Sequence, residues 1–557
     1  MTKHRTLTAR LLACVLPVVL AACGGGSKPA AQPDALNTSQ DTLVPPPGSD
    51  NQQQQPGASV RDTDPTAWPP AATASPATAC SSALTGSHQT YNVGPGQTYT
   101  ELTDVPWLSL QAGDVVNIHY RNTPYRTKFG LRAQGTANAP VIINGVTDAQ
   151  CNRPEISGLN AQTATDARNA GFGNGFEDYT LIAINRGPSD AWDTYTPKYI
   201  TIQNLKLTGA KRGNAFTGLG GISRSYDYFA AAIYAVRVHN LTVENCEITG
   251  NGLGIFTNTR GTSADDYSAN VIIRRNRIYL NGNLGRQTEH NLYVQARRAL
   301  YEGNFIGQAY GGSSLKDRSS GTVIRYNKIL ASARALDLVE TEEESFSNVK
   351  TDPLYPYAWV YGNLIVNDYQ APAGYAVNMV HWGFDNSQAN ARTGTLFYYA
   401  NTLVNNIPQN VFWYVSPFQI GQDGQAASST TVEASANIFW QQGTSEWRFL
   451  SAPAGVLTFR GSNYVPSTWY DTNPNYTADV RTTGATLISG SNPMLDGTFY
   501  PQTSSPALDQ GGAGPSFTPT WASAMNLAVT HQYQDGRGLV TRSTQGAAAD
   551  LGAFEHP

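Results

Sequence analysis

The sequence predicts an all-β solenoid, a coil of short parallel strands, on three observations. Composition comes first: 52 glycines and 29 tyrosines accompany only 14% charged residues, against about 25% in an average soluble domain, which favours strands joined by many turns. A repeated frame comes second. Apolar segments run into an asparagine followed by another apolar pair, as in "ITIQNLKL", "LTVENCEI", "VIIRRNRI", "LYEGNFI", "VIRYNKI", "WVYGNLI", "FYYANTL", "VEASANIF" and "FRGSNYV". Third, the asparagines concerned (Asn204, Asn245, Asn276, Asn304, Asn327, Asn363, Asn401, Asn437 and Asn463) lie 23 to 41 residues apart. One constant feature at unequal intervals is what a coil of fixed cross-section and variable loops produces. Coils stack about 4.8 Å apart. Asparagine suits the bend because it tolerates left-handed backbone angles and its amides can stack as a ladder.

The chain opens with the basic "MTKHRTLTAR" and the apolar "LLACVLPVVL", which is too short to span a membrane. The run "LAAC" resembles the lipobox of bacterial lipoproteins. That resemblance implies a signal peptide over residues 1–22, acylation of Cys23 and a lipid-bilayer anchor at the cell envelope; Gly24 resembles the outer-membrane sorting pattern. Residues 23–79 are rich in Pro, Gln and Ser and read as a disordered tether. Export implies an oxidising compartment, where pairing of Cys80 with Cys151 would staple the start of the domain; Cys80, Cys151 and Cys246 together allow three pairings, which stay open. The neighbours of Cys246 make it a core residue. The coil is expected over 80–460, and 461–557, where the asparagine frame is lost, is expected to cap its end.

With each asparagine at the bend between the second and third strands of a coil, "AAIYA", "LGIFT", "HNLYVQ", "SSLKDR", "ALDLVE" and "NMVHW" stack as first strands. Alternation points Ile233, Ile255, Leu292, Leu315, Leu336 and Met379 inward, and Tyr234, Phe256, Tyr293, Lys316, Asp337 and Val380 outward. Asn291, Arg318 and Trp382 flank that outward face, with His290 at the start of its strand. Asp317 and His381 fall on inward positions, against their polarity. Between Asn270 and Arg334 eleven Lys or Arg residues, Arg297 among them, face three acids, on a chain of net charge −4. Such a local excess attracts a polyanion, while the overall balance argues against nucleic acid. Glu340, Glu342, Glu343 and Glu344 in "LVETEEES" put acid beside it.

The opening "VGPGQTYTEL", "LQAGDVVNIHY" and "APVIINGV", with the closing "SSPALDQGG", "DGRG" and "ADLGAFE", resemble the right-handed parallel β-helix proteins of the pectate-lyase-like superfamily over roughly residues 90–557. That superfamily hosts lyases, hydrolases, epimerases and non-catalytic surface proteins. Within it, "SSLKDRSSGTVIRYNKI" resembles the stretch of chondroitinase B and related alginate lyases that carries a catalytic lysine, which Lys316 matches. Where those enzymes bring a catalytic arginine on the next rung, this chain has "RALDLVE", with Asp337. The polygalacturonase pattern "NTD", "GHG", "RIK" and the pectate-lyase Arg-x-Pro-x-x-Arg are missing.

Elimination from a uronate polymer needs a positive charge for the carboxyl, a base for the α proton and an acid for the leaving oxygen. Lys316 is the expected base, with Arg318 beside it lowering its affinity for a proton, and His290 its rival. Tyr293 is the expected acid and Arg318 the carboxylate clamp. Asn291, Asp337, His381, Trp382 and Arg297 are the expected substrate contacts. Glu289, Asp317 and Glu340, with Asp337, are candidate calcium ligands by similarity to such enzymes. The resulting expectation is a monomeric lyase acting on an acidic polysaccharide. Two other readings stand beside it: a glycoside hydrolase using Asp337 with Glu340 or Asp265 with Asp266, and a non-catalytic glycan-binding protein with Trp382, Trp413, Trp440 and Tyr293 as stacking platforms.

Overall fold

The computed structural model describes residues 68–75, 80–164, 176–187, 190, 195–258, 267–342, 347–371, 373–421, 429–449, 455–468, 479–512 and 525–557, all within one compact unit, Gln53–Pro557. Cys23, Asp265, Asp266, Glu343 and Glu344 lie outside the described residues. The chain winds as a right-handed parallel β-helix. Each coil lays a strand in each of three sheets, as Leu292–Val294, Arg297–Glu302 and Phe305–Ile306 do in turn. The first and second sheets have 13 strands each and the third has 11. Ile233, Ile255, Leu292, Leu315 and Leu336 pair rung upon rung along the first sheet and fill the interior.

Among the described residues the asparagine ladder runs from Asn276 to Asn463. At each rung one side-chain oxygen accepts from two nitrogens of the asparagine below: Asn327 Oδ1 takes the backbone N–H and Nδ2 of Asn304, both at 2.9 Å. Asn304 to Asn463 repeat this arrangement. From Asn276 to Asn437 the left-handed residue is the one before the ladder asparagine: Arg275, Gly303, Tyr326, Gly362, Ala400 and Ala436; before Asn463 it is Gly461, two residues ahead. Only at Asn204 and Asn245 does the asparagine itself take that conformation. Cys246 then occupies the ladder position, buried, and its N–H donates to Asn276 Oδ1 at 2.8 Å. The shared frame thus covers two local solutions, asparagine as the bent residue and asparagine as the stacked one.

Two boundaries differ from the sequence expectation. The coil continues past 460, since Asp479–Arg481 and Thr486–Gly490 add strands to the second and third sheets. Among the described residues, the C-terminal stretch 525–557 returns along the side of the coil. Gly552 N–H donates to Ala436 O, Ala553 N–H to Thr402 Oγ1, and Leu539 packs beside Gly303. Two outward tyrosines of the second sheet and one at its bend receive it: Tyr399 donates to Leu527 O at 2.6 Å, Tyr361 to Asn526 O at 3.2 Å and the bend residue Tyr326 to Ala528 O at 3.0 Å. Apolar rungs left uncovered on that face explain why a strap binds there. Residues 68–75 of the expected tether join it: Trp68 is buried and donates to Gly321 O, and Ser75 N–H donates to Leu539 O. Cys80 and Cys151 are disulfide-bonded. No helix among the described residues is long and apolar enough to cross a membrane.

Candidate functional site

The outward face of the first sheet carries one row of paired residues, Tyr234, Phe256, Tyr293, Lys316, Asp337, His381 and Gln419. Its lower part is aromatic, with ring centroids 4.6 Å apart for Tyr234 and Phe256 and 5.2 Å for Phe256 and Tyr293. Its upper part is ionic. The expected register slips by one residue at the last strand: Val380, not Met379, pairs with Leu336. That slip turns His381 outward beside Asp337 and sends Trp382 into the core, fully buried. Trp382 is therefore not a sugar platform.

Lys316 lies between two carboxylates, Nζ to Asp337 Oδ2 at 2.8 Å and to Asp385 Oδ2 at 2.7 Å. Two of its three protons are committed, and an ammonium in that clamp has no lone pair to act as a base. Arg318 stands behind it: Nε donates to the Tyr293 hydroxyl at 3.1 Å, Nη1 to Glu340 O at 2.6 Å, and Nη2 reaches Asp385 and, at 3.0 Å, Glu342. Tyr293 in turn donates to Glu342 Oε1 at 2.5 Å. Asp337 also takes His381 Nδ1 at 2.8 Å and Arg334 at 3.4 Å.

Burial alone would raise the Asp337 and Asp385 carboxyls, but Lys316, with Arg334 at one and Arg318 at the other, holds both below the usual range. Burial, with Asp385 nearby, pushes Glu340 up to about 7. Burial, reinforced by Glu342, keeps Tyr293 protonated. His290 is pushed down to about 3 by burial and Lys316. Its Nδ1 accepts the Ser313 N–H at 2.8 Å, so the neutral ring carries its proton on Nε2 and is a donor rather than a base.

Several expected contacts lie elsewhere. Asn291 is buried in a second amide ladder with Asn251 and Asn281. Arg297 belongs to the second sheet, donating to Asn348 O and Thr351. Glu289, Asp317 and Glu340 do not converge: Glu289 pairs with Arg286, Asp317 points into the coil, and Glu340 accepts the N–H groups of Asp385, Asn386 and Ser387 at 2.9, 2.8 and 2.7 Å. Among the described residues no group of three or more acids, histidines or cysteines is arranged to hold a metal. These residues do not fit a calcium site.

The expected basic patch also disperses, because consecutive residues wind around the perimeter of the coil. Arg274 and Arg275 pair with Glu244, Arg325 with Glu302 and Lys328 with Asp535, on the second and third sheets. Sequence reasoning missed Asp385, whose loop follows the His381 strand, and read Glu342 only as acid beside the basic residues, with no catalytic role. The loops leave the rim unevenly open. The Glu342 side chain is 40% exposed and Asp385 13%, against 9% for Lys316, 2% for Asp337 and 1% for Arg318. Two clefts, of about 570 and 350 Å³, flank the hairpin His531–Gln534 and Gly538–Thr541, away from this row.

Among solved structures the chain is similar to an alginate lyase from Paenibacillus sp. str. FPU-7, with 13% identity over 66% of this chain and 99% of that one and a TM-score of 0.40. It is similar also to pectate lyase Pel9A, at 10% identity over 86% and 98% and a TM-score of 0.34. The architecture of this chain is a parallel β-helix. A GH136 lacto-N-biosidase from Eubacterium ramulus matches at 12% identity over 72% and 67%, TM-score 0.30. No protein-family model matches the chain, and no curated protein does.

Proposed function

We propose that this protein is a polysaccharide lyase that cleaves a uronate-containing chain on the outward face of its first sheet. The observation that carries this reading is the half-exposed Tyr293 and Glu342 pair, joined at 2.5 Å, with the buried Arg318 and Lys316 directly behind it. Glu342 takes the proton α to the uronate carboxyl, and the C–H electron pair becomes the new double bond. The bond from the β carbon to the glycosidic oxygen breaks, and that oxygen takes the Tyr293 proton. The proton on Glu342 returns to Tyr293 through their hydrogen bond. Arg318 and Lys316, buried behind the pair and held by their carboxylates, stabilise the charge spreading onto the carboxyl through their field rather than by contact. Acylated Cys23 would hold the enzyme at the outer membrane.

Hydrolysis by Asp337 and Asp385 has the short carboxylate separation of a retaining pair, since Lys316 bridges both. Asp337 is too enclosed to reach a sugar, so elimination is the better fit. The test is a panel of alginate, pectate, chondroitin and hyaluronan with residues 68–557, following the ultraviolet absorbance of the unsaturated uronate. A rise abolished by Tyr293→Phe supports the reading; reducing ends released without absorbance would overturn it in favour of hydrolysis.

A further inference from the structure

The strand Leu315–Asp317 presents Lys316 to the outside and Asp317 to the inside, and Arg318 leaves it on the outside again. Outside, the two cations hold Asp385. Inside, Asp317 is fully buried and hydrogen-bonded to Tyr301 at 2.8 Å, Thr322 at 2.5 Å and the Ser319 N–H at 3.0 Å, and Arg392 lies 3.5 Å away. Arg392 is equally buried. It stacks over Trp382 at 4.6 Å and donates to Tyr355 O at 3.2 Å and Tyr357 O at 3.1 Å. Asp385 and Arg392 belong to one loop, residues 383–394, whose base closes through the Arg392 N–H to Gly383 O at 3.0 Å. One strand therefore grips one loop from both sides of the sheet. A third hold comes from Glu340 on the three successive N–H groups of 385–387.

A buried carboxylate and guanidinium are expensive to desolvate, and an apolar pair of the same volume is often as stable. Their presence beneath the site calls for a positional reason. We infer that Asp317 and Arg392 are positioning residues, pinning the 383–394 loop so that Asp385 stays within hydrogen-bond reach of Lys316 and Arg318. The consequence for turnover rests on the lyase reading; the pinning itself does not.

The test uses residues 68–557 carrying Asp317→Asn with Arg392→Met, which removes both buried charges together, and the milder Arg392→Lys, which keeps the charge and loses the fork. Hydrogen exchange is followed on peptides covering 384–391, with the ladder at Asn327 and Asn363 as internal reference. The expected result is exchange about tenfold faster in 384–391 with the ladder unchanged, the lysine variant moving less in the same direction. On a polysaccharide that the wild type cleaves, kcat falls with KM held. Unaltered exchange at 384–391 in both variants would overturn the inference. Should the double variant not fold, Arg392→Lys alone decides. Absence of elimination by the wild type counts against the lyase reading alone, because the exchange result stands without it.

Discussion

At the corner between the second and third sheets the rungs from Asn276 to Asn463 repeat one residue and one pair of hydrogen bonds, whereas on the outward face of the first sheet no two neighbouring rungs from Tyr293 to Gln419 carry the same side chain. Both regions are buried and polar. At the corner each amide is satisfied by its neighbours along the axis, so the arrangement depends only on the coil. On the outward face each charge is satisfied by groups from loops, Asp385, Glu340, Glu342 and Arg334, so the arrangement depends on how those loops fold back. The lesson is that a solenoid puts uniform polar chemistry where strands meet and variable chemistry where loops overhang.

The largest expected effect breaks the ionic side. Lys316→Met strands Asp337 and Asp385 without their shared cation, with a loss of about 3–5 kcal/mol in chemical denaturation. Adding Asp385→Asn should recover a large part of it. Recovery would be missing if Lys316 acted only through apolar contact. At the corner, Asn327→Ala leaves the Asn304 N–H, and the carbonyls of Tyr301 and Arg325, without their partner. The expected loss is about 3 kcal/mol, and because the ladder is uniform, Asn363→Ala should cost nearly the same. Unequal midpoints for the two would sink the claim of uniformity.

Acid separates the regions further, since the stacked amides from Asn276 to Asn463 do not titrate. His290 is held near 3 against an ordinary 6.5, so as pH falls the unfolded chain binds its proton first. Its contribution is complete above 6.5 and is lost as pH drops toward 3. His290→Gln should flatten the fall in melting temperature over that interval, an effect of up to about 5 kcal/mol. The smallest effect on stability comes from the exposed rim. Glu342→Gln should cost less than about 1 kcal/mol while lowering elimination by about 100-fold, read as melting temperature against initial rate.

The same division governs what was legible. Alternation placed Leu315 inward and Lys316 outward because a strand has a period of two, and the asparagine frame marked each coil because the ladder is local to it. "NMVHW" misled because Met379 and Val380 both suit an inward position, and only the pairing of Val380 with Leu336 separates them. Asp317 looked misplaced only because Arg392, its inward partner, lies 75 residues downstream. Eleven basic residues close in sequence formed no patch because one turn of the coil carries them around three faces.

By itself, then, the sequence determined the coil, its corner and the row of outward residues from Tyr293 through Asp337, since these follow from short-range periodicity. Only the tertiary structure decided which charges meet. Loops of unequal length bring Glu342, Asp385 and Arg392 over and into rungs far from them in the chain. The C-terminal strap likewise finds the tyrosines of the second sheet only once those rungs are stacked.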